Sequence, residues 1–83
     1  MINVEVVTLV LLKNIGAGDM LLSVDVCDPQ HVDSVRDAEV ERLGLTLLNA
    51  WLEDRRESVY AYTDGAGLIY QFRLINHEVL VNN

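Results

Sequence analysis

Asp25, Cys27, Asp28 and His31 bring a thiol, an imidazole and two carboxylates into one short segment. Each of these groups can bind zinc, and a thiol beside an imidazole is a pair used in nucleophilic catalysis. The rest of the chain completes neither reading. A structural zinc site draws four ligands mainly from Cys and His at recurrent paired spacings. This chain has one cysteine, and its only other histidine is His77. Hard and soft ligands are mixed here without a template. Catalysis by Cys27 with His31 or His77 also needs an oxyanion site and a turn that presents the nucleophile, and nothing in the sequence supplies either. The four residues read instead as a strand end followed by a capped helix, with Cys27 as a small hydrophobe. No metal and no cofactor is expected, and the chain is not read as an enzyme.

Other chemical signals are weaker still. Gly16-Ala17-Gly18 follows a strand-like run, as a dinucleotide fingerprint does, but the third-glycine position is Leu21 and no helix follows. A glycine loop in a hairpin accounts for it. Carboxylates are too plentiful to be specific, and a domain this small rarely forms the cleft that glycoside chemistry requires. Trp51, Tyr60, Tyr62, Tyr70 and Phe72 suit a core or a protein interface. Base stacking would need a basic groove beside them, and only Arg55, Arg56 and Arg73 are at hand.

These residues must be positioned by one domain, residues 1–83. A chain of this size buries roughly 60–65% of its unfolded surface, so its core is thin. Yet 51% of its residues are hydrophobic, which excludes a disordered segment. A lone thiol argues for a reducing cytosol over a disulfide-stapled secreted scaffold. Residues 6–12 are nearly all apolar but far short of the ~20 needed to span a bilayer. They lack a basic leader before them and read as a buried strand.

The pattern predicts an α+β fold: an antiparallel sheet of four or five strands, ordered ββαββ or ββαβββ, with one main helix on one face. Residues 2–12 form a strand whose second half is apolar on both sides, which implies a cover on both sides. Residues 20–27 alternate as its hairpin partner, with Met20, Leu22, Val24 and Val26 pointing one way. Asp28-Pro29 ends that strand, and Ser34 with Asp37 resembles a capping box. The helix is expected over residues 34–56. Residues 58–63 and 68–75 read as strands around an Asp64-Gly65-Ala66-Gly67 turn, and Asn76-His77 turns the chain into a short last strand.

Two surfaces then stand out. Leu43, Leu45, Leu47, Leu48, Trp51 and Leu52 cover more of the expected helix than the ~100° stripe a sheet requires. The excess predicts a homodimer with Leu43, Leu47, Leu48 and Trp51 at its interface. Formal net charge is −7, and residues 19–41 hold seven acids against the single base Arg36. Free nucleic acid and membrane are not expected partners for such a chain. Asp19, Asp25, Asp28, Asp33, Asp37 and Glu41 instead suit the basic, nucleic-acid-binding surface of a larger protein. In size, charge and lack of motifs the chain looks like phage-encoded inhibitors of bacterial defence complexes, such as anti-CRISPR proteins. That general likeness implies a non-catalytic inhibitor acting in the cytoplasm of a host cell. The alternative is a homo-oligomeric structural or adaptor domain whose acids only confer solubility.

Overall fold

A computed structural model describes residues 1–82. Five strands and one helix follow one another as β1 (Ile2–Asn14), β2 (Asp19–Cys27), α1 (Val32–Leu43), β3 (Thr46–Leu52), β4 (Glu57–Thr63) and β5 (Ile69–Val81). The strands make one antiparallel sheet in the order β2-β1-β5-β4-β3. The fold is therefore α+β, in the order ββαβββ, with one helix on one sheet face. No helix among the described residues is long and apolar enough to cross a membrane.

Strand residues alternate between two faces. On one face lie Val7, Leu9 and Leu11 of β1, Tyr70, Phe72 and Leu74 of β5, and Tyr62 of β4. Val32 from α1 and Leu45 just after it close over them, with Val35, Val40 and Leu43 packed alongside. Phe72 is fully buried and meets Tyr62 edge-on, with ring centroids 5.5 Å apart. This is the helix face, and it contains the main core.

The helix ends thirteen residues before the sequence pattern implied, at Leu43 and not at Arg56. Gly44 adopts a left-handed conformation, φ 65°. Its N–H reaches the Glu41 carbonyl at 3.2 Å, and the Leu45 N–H reaches the Val40 carbonyl at 2.9 Å. That pair of bonds is the Schellman arrangement, and Leu45 packing near Val40 is its usual apolar companion. Replacing Gly44 by Ala should cost about 1–2 kcal/mol, because a Cβ disfavours the left-handed region, although open space surrounds the site. A urea melt gives the value directly.

The helix start also differs. It begins at Val32 with His31 at the N-cap position and no side-chain cap, so Ser34 and Asp37 form no capping box. Asp28 organises the entry: its carboxylate accepts the Gln30 N–H at 2.8 Å, and its carbonyl accepts the N–H groups of His31 and Val32. Nor does Asn76-His77 turn the chain. β5 runs through it, held by the Asn76 N–H on the Arg56 carbonyl at 2.7 Å and by a 2.7 Å hydrogen bond between Thr8 Oγ1 and His77 Nε2. Beyond that point residues 2–6 and 77–81 pair with each other alone, as a two-stranded ribbon. The ribbon contributes to an elongated outline, 48 × 23 × 20 Å.

Candidate functional site: the uncovered face of the sheet

The helix covers one face, and no element among the described residues covers the other. In-register rows cross this open face from edge to edge. One row is Val24, Val10, Arg73, Val59 and Trp51; the next is Leu21, Leu12, Gln71, Ala61 and Asn49. A third holds Val26, Thr8, Ile75 and Glu57, and the ribbon prolongs the face with Val4 opposite Val79 and Ile2 opposite Val81. A bulge in β2 sets this arrangement. Leu22 has no partner in β1, so Val24 and Val26 share the open face with Leu21, while Met20 shifts to the helix side opposite Lys13. The sequence pattern had grouped Met20 and Leu22 with the two valines.

The open face carries almost no charge. Within the three rows only Arg73 and Glu57 are ionic, and they pair with each other across β4 and β5; Asp19, opposite Asn14, adds one carboxylate at the far corner. Val59 is wholly buried even here, flanked by Trp51 and Arg73 on the neighbouring strands. Towards β2 the face opens out: Val24 is 52% and Val26 67% exposed. Gln71 Oε1, in the row of Leu12 and Ala61, is buried without a hydrogen-bond partner. The signal for this face was the two-sided apolar pattern of β1, which implied a second cover.

Of the residues expected at a dimer interface, Leu43 is partly buried and packed against the core. Leu47, Leu48 and Trp51 are exposed, but on the edge strand β3 and not on a helix. Trp51 also belongs to the open face, and its indole N–H donates to Glu53 Oε2 at 2.8 Å.

The acids sort to the opposite side. Asp25 is opposite Leu9 on the helix face, Asp28 lies in the turn before α1, and Asp33, Asp37 and Glu41 are exposed on α1. Asp19 is the exception: it lies at the far end of the β1–β2 hairpin opposite Asn14, on the open-face side. Arg36 lies between Asp33 (3.1 Å) and Asp37 (3.4 Å), and its guanidinium rests 4.3 Å from the Tyr60 ring centre. Burial works against the Arg36 charge, but Tyr62 and Asp33, with Tyr60 and Asp37, outweigh it and raise its pKa. Arg42 takes up Glu39 and holds that carboxyl below its ordinary value through their hydrogen bond. Asp19, Asp25, Asp28 and Glu41 have no basic partner among the described residues.

The reactive side chains are not brought together. Cys27 is buried on the helix face opposite Val7, where desolvation, assisted by Asp25, raises its thiol pKa. His77 lies on the other face of the sheet, bonded to Thr8. His31 is exposed at the helix start. Among the described residues, no group of three or more His, Cys, Asp or Glu side chains converges to hold a metal. Asp64 is structural: its carboxylate accepts the Leu68 and Ala66 N–H groups and the Tyr70 hydroxyl. These bonds, led by that from Leu68, lower its pKa. A polar cleft of about 390 Å³ lies at the base of the ribbon, lined by Glu5, Pro29, Arg56, His77 and Glu78 among others. Compared with known proteins, the chain matches no family model, no curated protein and no solved structure.

Proposed function

We propose that this chain is a non-catalytic protein-association domain that pairs with a second copy through the open face of its sheet. The observation that carries the reading is a largely apolar face, charged only at the Arg73–Glu57 pair and at Asp19 on its far corner, on a chain of formal charge −7. Five strands at ~4.8 Å spacing and ~3.3 Å per residue present roughly 550 Å² in projection, and the ribbon adds about 150 Å². Side-chain relief raises the accessible area further, towards the ~800 Å² per partner of a standard stable interface. A second copy supplies a face of the same chemistry, as two-fold pairing requires. Stacked at ~10 Å, the two sheets would leave both helices outside and the acidic layers as far apart as the assembly allows. Sedimentation equilibrium at micromolar protein should give twice the 9.3 kDa chain mass. A 9.3 kDa particle throughout that range overturns the reading.

A second reading concerns the outward layer. Asp25, Asp28, Asp33, Asp37 and Glu41 share the helix side, which favours contact with a Lys- and Arg-lined surface of a larger protein, including one built to hold nucleic-acid phosphates. An inhibitor of the anti-CRISPR type would use such a layer. Reversing Asp25, Asp28, Asp33 and Asp37 to Lys should slow association with a basic partner by at least about tenfold at low salt, while leaving the melting point similar. Unchanged association would leave the acids a solubilising role only.

A further inference from the structure

The two edges of the sheet are unlike. β2 carries Asp19 and Asp25, charges of the kind that keep an edge from pairing with other chains. β3 reads Thr-Leu-Leu-Asn-Ala-Trp-Leu: it has no charged residue and no proline, and every residue is exposed. A long uncharged edge strand is a template for another strand.

The hydrogen bonds show which backbone groups β3 offers. The Glu53 N–H bonds inward to the Glu57 carbonyl at 2.8 Å. The Ala50 N–H bonds to the side chain of its neighbour, Asn49 Oδ1, at 2.9 Å. Inward and outward groups alternate along an antiparallel strand, so Ala50 and Leu52 direct their N–H and C=O groups away from β4. The Asn49 side chain thus occupies the donor that an incoming strand would use. A bulge at Leu48, which has no partner in β4, confines the regular stretch to the second half of β3.

Charge then distinguishes the occupant. Ala50 is opposite Tyr60 on the helix face, Arg36 rests on that ring, and Asp33 and Asp37 flank Arg36. A strand added to β3 would present every second side chain on the helix face, the side that holds Arg36 and its two flanking carboxylates, a trio of net charge −1 with both carboxylates exposed. Its other side chains would lie beside Trp51 and Asn49 on the open face. A second copy is a poor fit. Pairing two β3 edges about an axis perpendicular to the sheet puts both helices, with both sets of acids, on the same side of the joint sheet. A strand bearing Lys or Arg on one side and apolar groups on the other meets both conditions, and long cationic side chains can reach past Ala50.

We propose that β3 accepts an extended segment of another protein, alternating basic and apolar, as a sixth strand whose basic side chains face Asp33 and Asp37. This docking uses an edge and not the open face, so it does not depend on self-association. The probe is a synthetic peptide of about nine residues, long enough to span β3, alternating Lys and Val, with a Glu–Val peptide as control. Fluorescence anisotropy on the whole protein should show the Lys–Val peptide binding at least about tenfold tighter than the control. Amide exchange at Ala50 and Leu52 should slow when it binds. Ala50→Pro removes an outward donor and no β3–β4 ladder bond, and should weaken binding about tenfold or more, with the fold checked by circular dichroism. Asn49→Ala frees that donor and should tighten binding, a variant that cannot be mistaken for misfolding. Asp33→Asn with Asp37→Asn should abolish the preference for Lys over Glu. Equal binding of the two peptides, no binding of either, or an Ala50→Pro protein that binds like wild type overturns the proposal. Self-association lost in Ala50→Pro, with neither peptide bound, would assign β3 to a second copy instead.

Discussion

Phe72→Ala should destabilise the domain by about 3–5 kcal/mol, a large fraction of its total stability. Phe72 is fully buried on β5, paired to Leu11 on one side and Tyr60 on the other, with its ring edge-on to Tyr62. It stands at the centre of the only face the helix covers. Domains are stabilised by roughly 0.05–0.15 kcal/mol per residue, which gives a chain of this length only about 4–12 kcal/mol in total. A single, weakly amphipathic helix that fully buries only Val32 cannot collapse far into the space a phenyl ring leaves. Phe72→Leu preserves most of the volume and should cost less, about 1–1.5 kcal/mol. Urea denaturation of the three proteins gives the comparison. A Phe72→Ala protein within about 1 kcal/mol of wild type would show that the helix-face core is not the principal source of stability.

The second large effect concerns association. Val24→Glu together with Val26→Glu should weaken the dimer by at least about a hundredfold while leaving the monomer folded. Both valines are more than half exposed, so each substitution in an isolated chain acts as a surface change, usually within ~0.5 kcal/mol. In the face-to-face pair the same positions enter an apolar interface, and the two-fold doubles the number of carboxylates that must be desolvated or expelled. A hundredfold loss corresponds to about 2.7 kcal/mol, a modest demand for such burial. Sedimentation of the variant beside wild type reads it directly. A variant dimer of wild-type affinity would move the interface off this face.

Much of the architecture was legible because its signals are local. The clean alternation of β4 and of the first half of β5, the Asp64 turn and the glycine loop between β1 and β2 all appear in the sequence; β5 differs in running on to Val81 where a turn at Asn76-His77 was expected. Residues 46–52 were not legible as a strand, for two physical reasons. The bulge at Leu48 breaks the two-residue period, and an edge strand exposed on every residue has no buried side to impose one. What remains is a leucine-rich run that a helical period fits just as well. The decisive signal was Gly44 followed by Leu45, a helix stop with its apolar companion. The apolar excess was correctly sensed, but it resides on the sheet and its β3 edge and not around a helix. The acidic layer was visible residue by residue. Its separation from the open face was not, because that depends on the phase shift at Leu22 and on which side of the sheet α1 packs.

The pairing of β1 with β5 has a consequence for the time course of folding. These two strands form the centre of the sheet, yet they come from opposite ends of the sequence, with Ile2 beside Val81 and Leu9 beside Leu74. The local hairpins β1–β2, β3–β4 and β4–β5 can close quickly. The ladder that joins the first hairpin to the rest cannot form until the chain has closed on itself almost completely. Loop-closure entropy must therefore be overcome before the central contacts compensate for it, and topologies of this kind fold on the order of milliseconds to seconds rather than microseconds. Until that ladder forms, the inner edges of β1 and β5 are as bare as β3 is in the finished molecule. The dwell time of that half-assembled chain, more than the strength of the final fold, then sets how concentrated the protein can be while it refolds without misassembling.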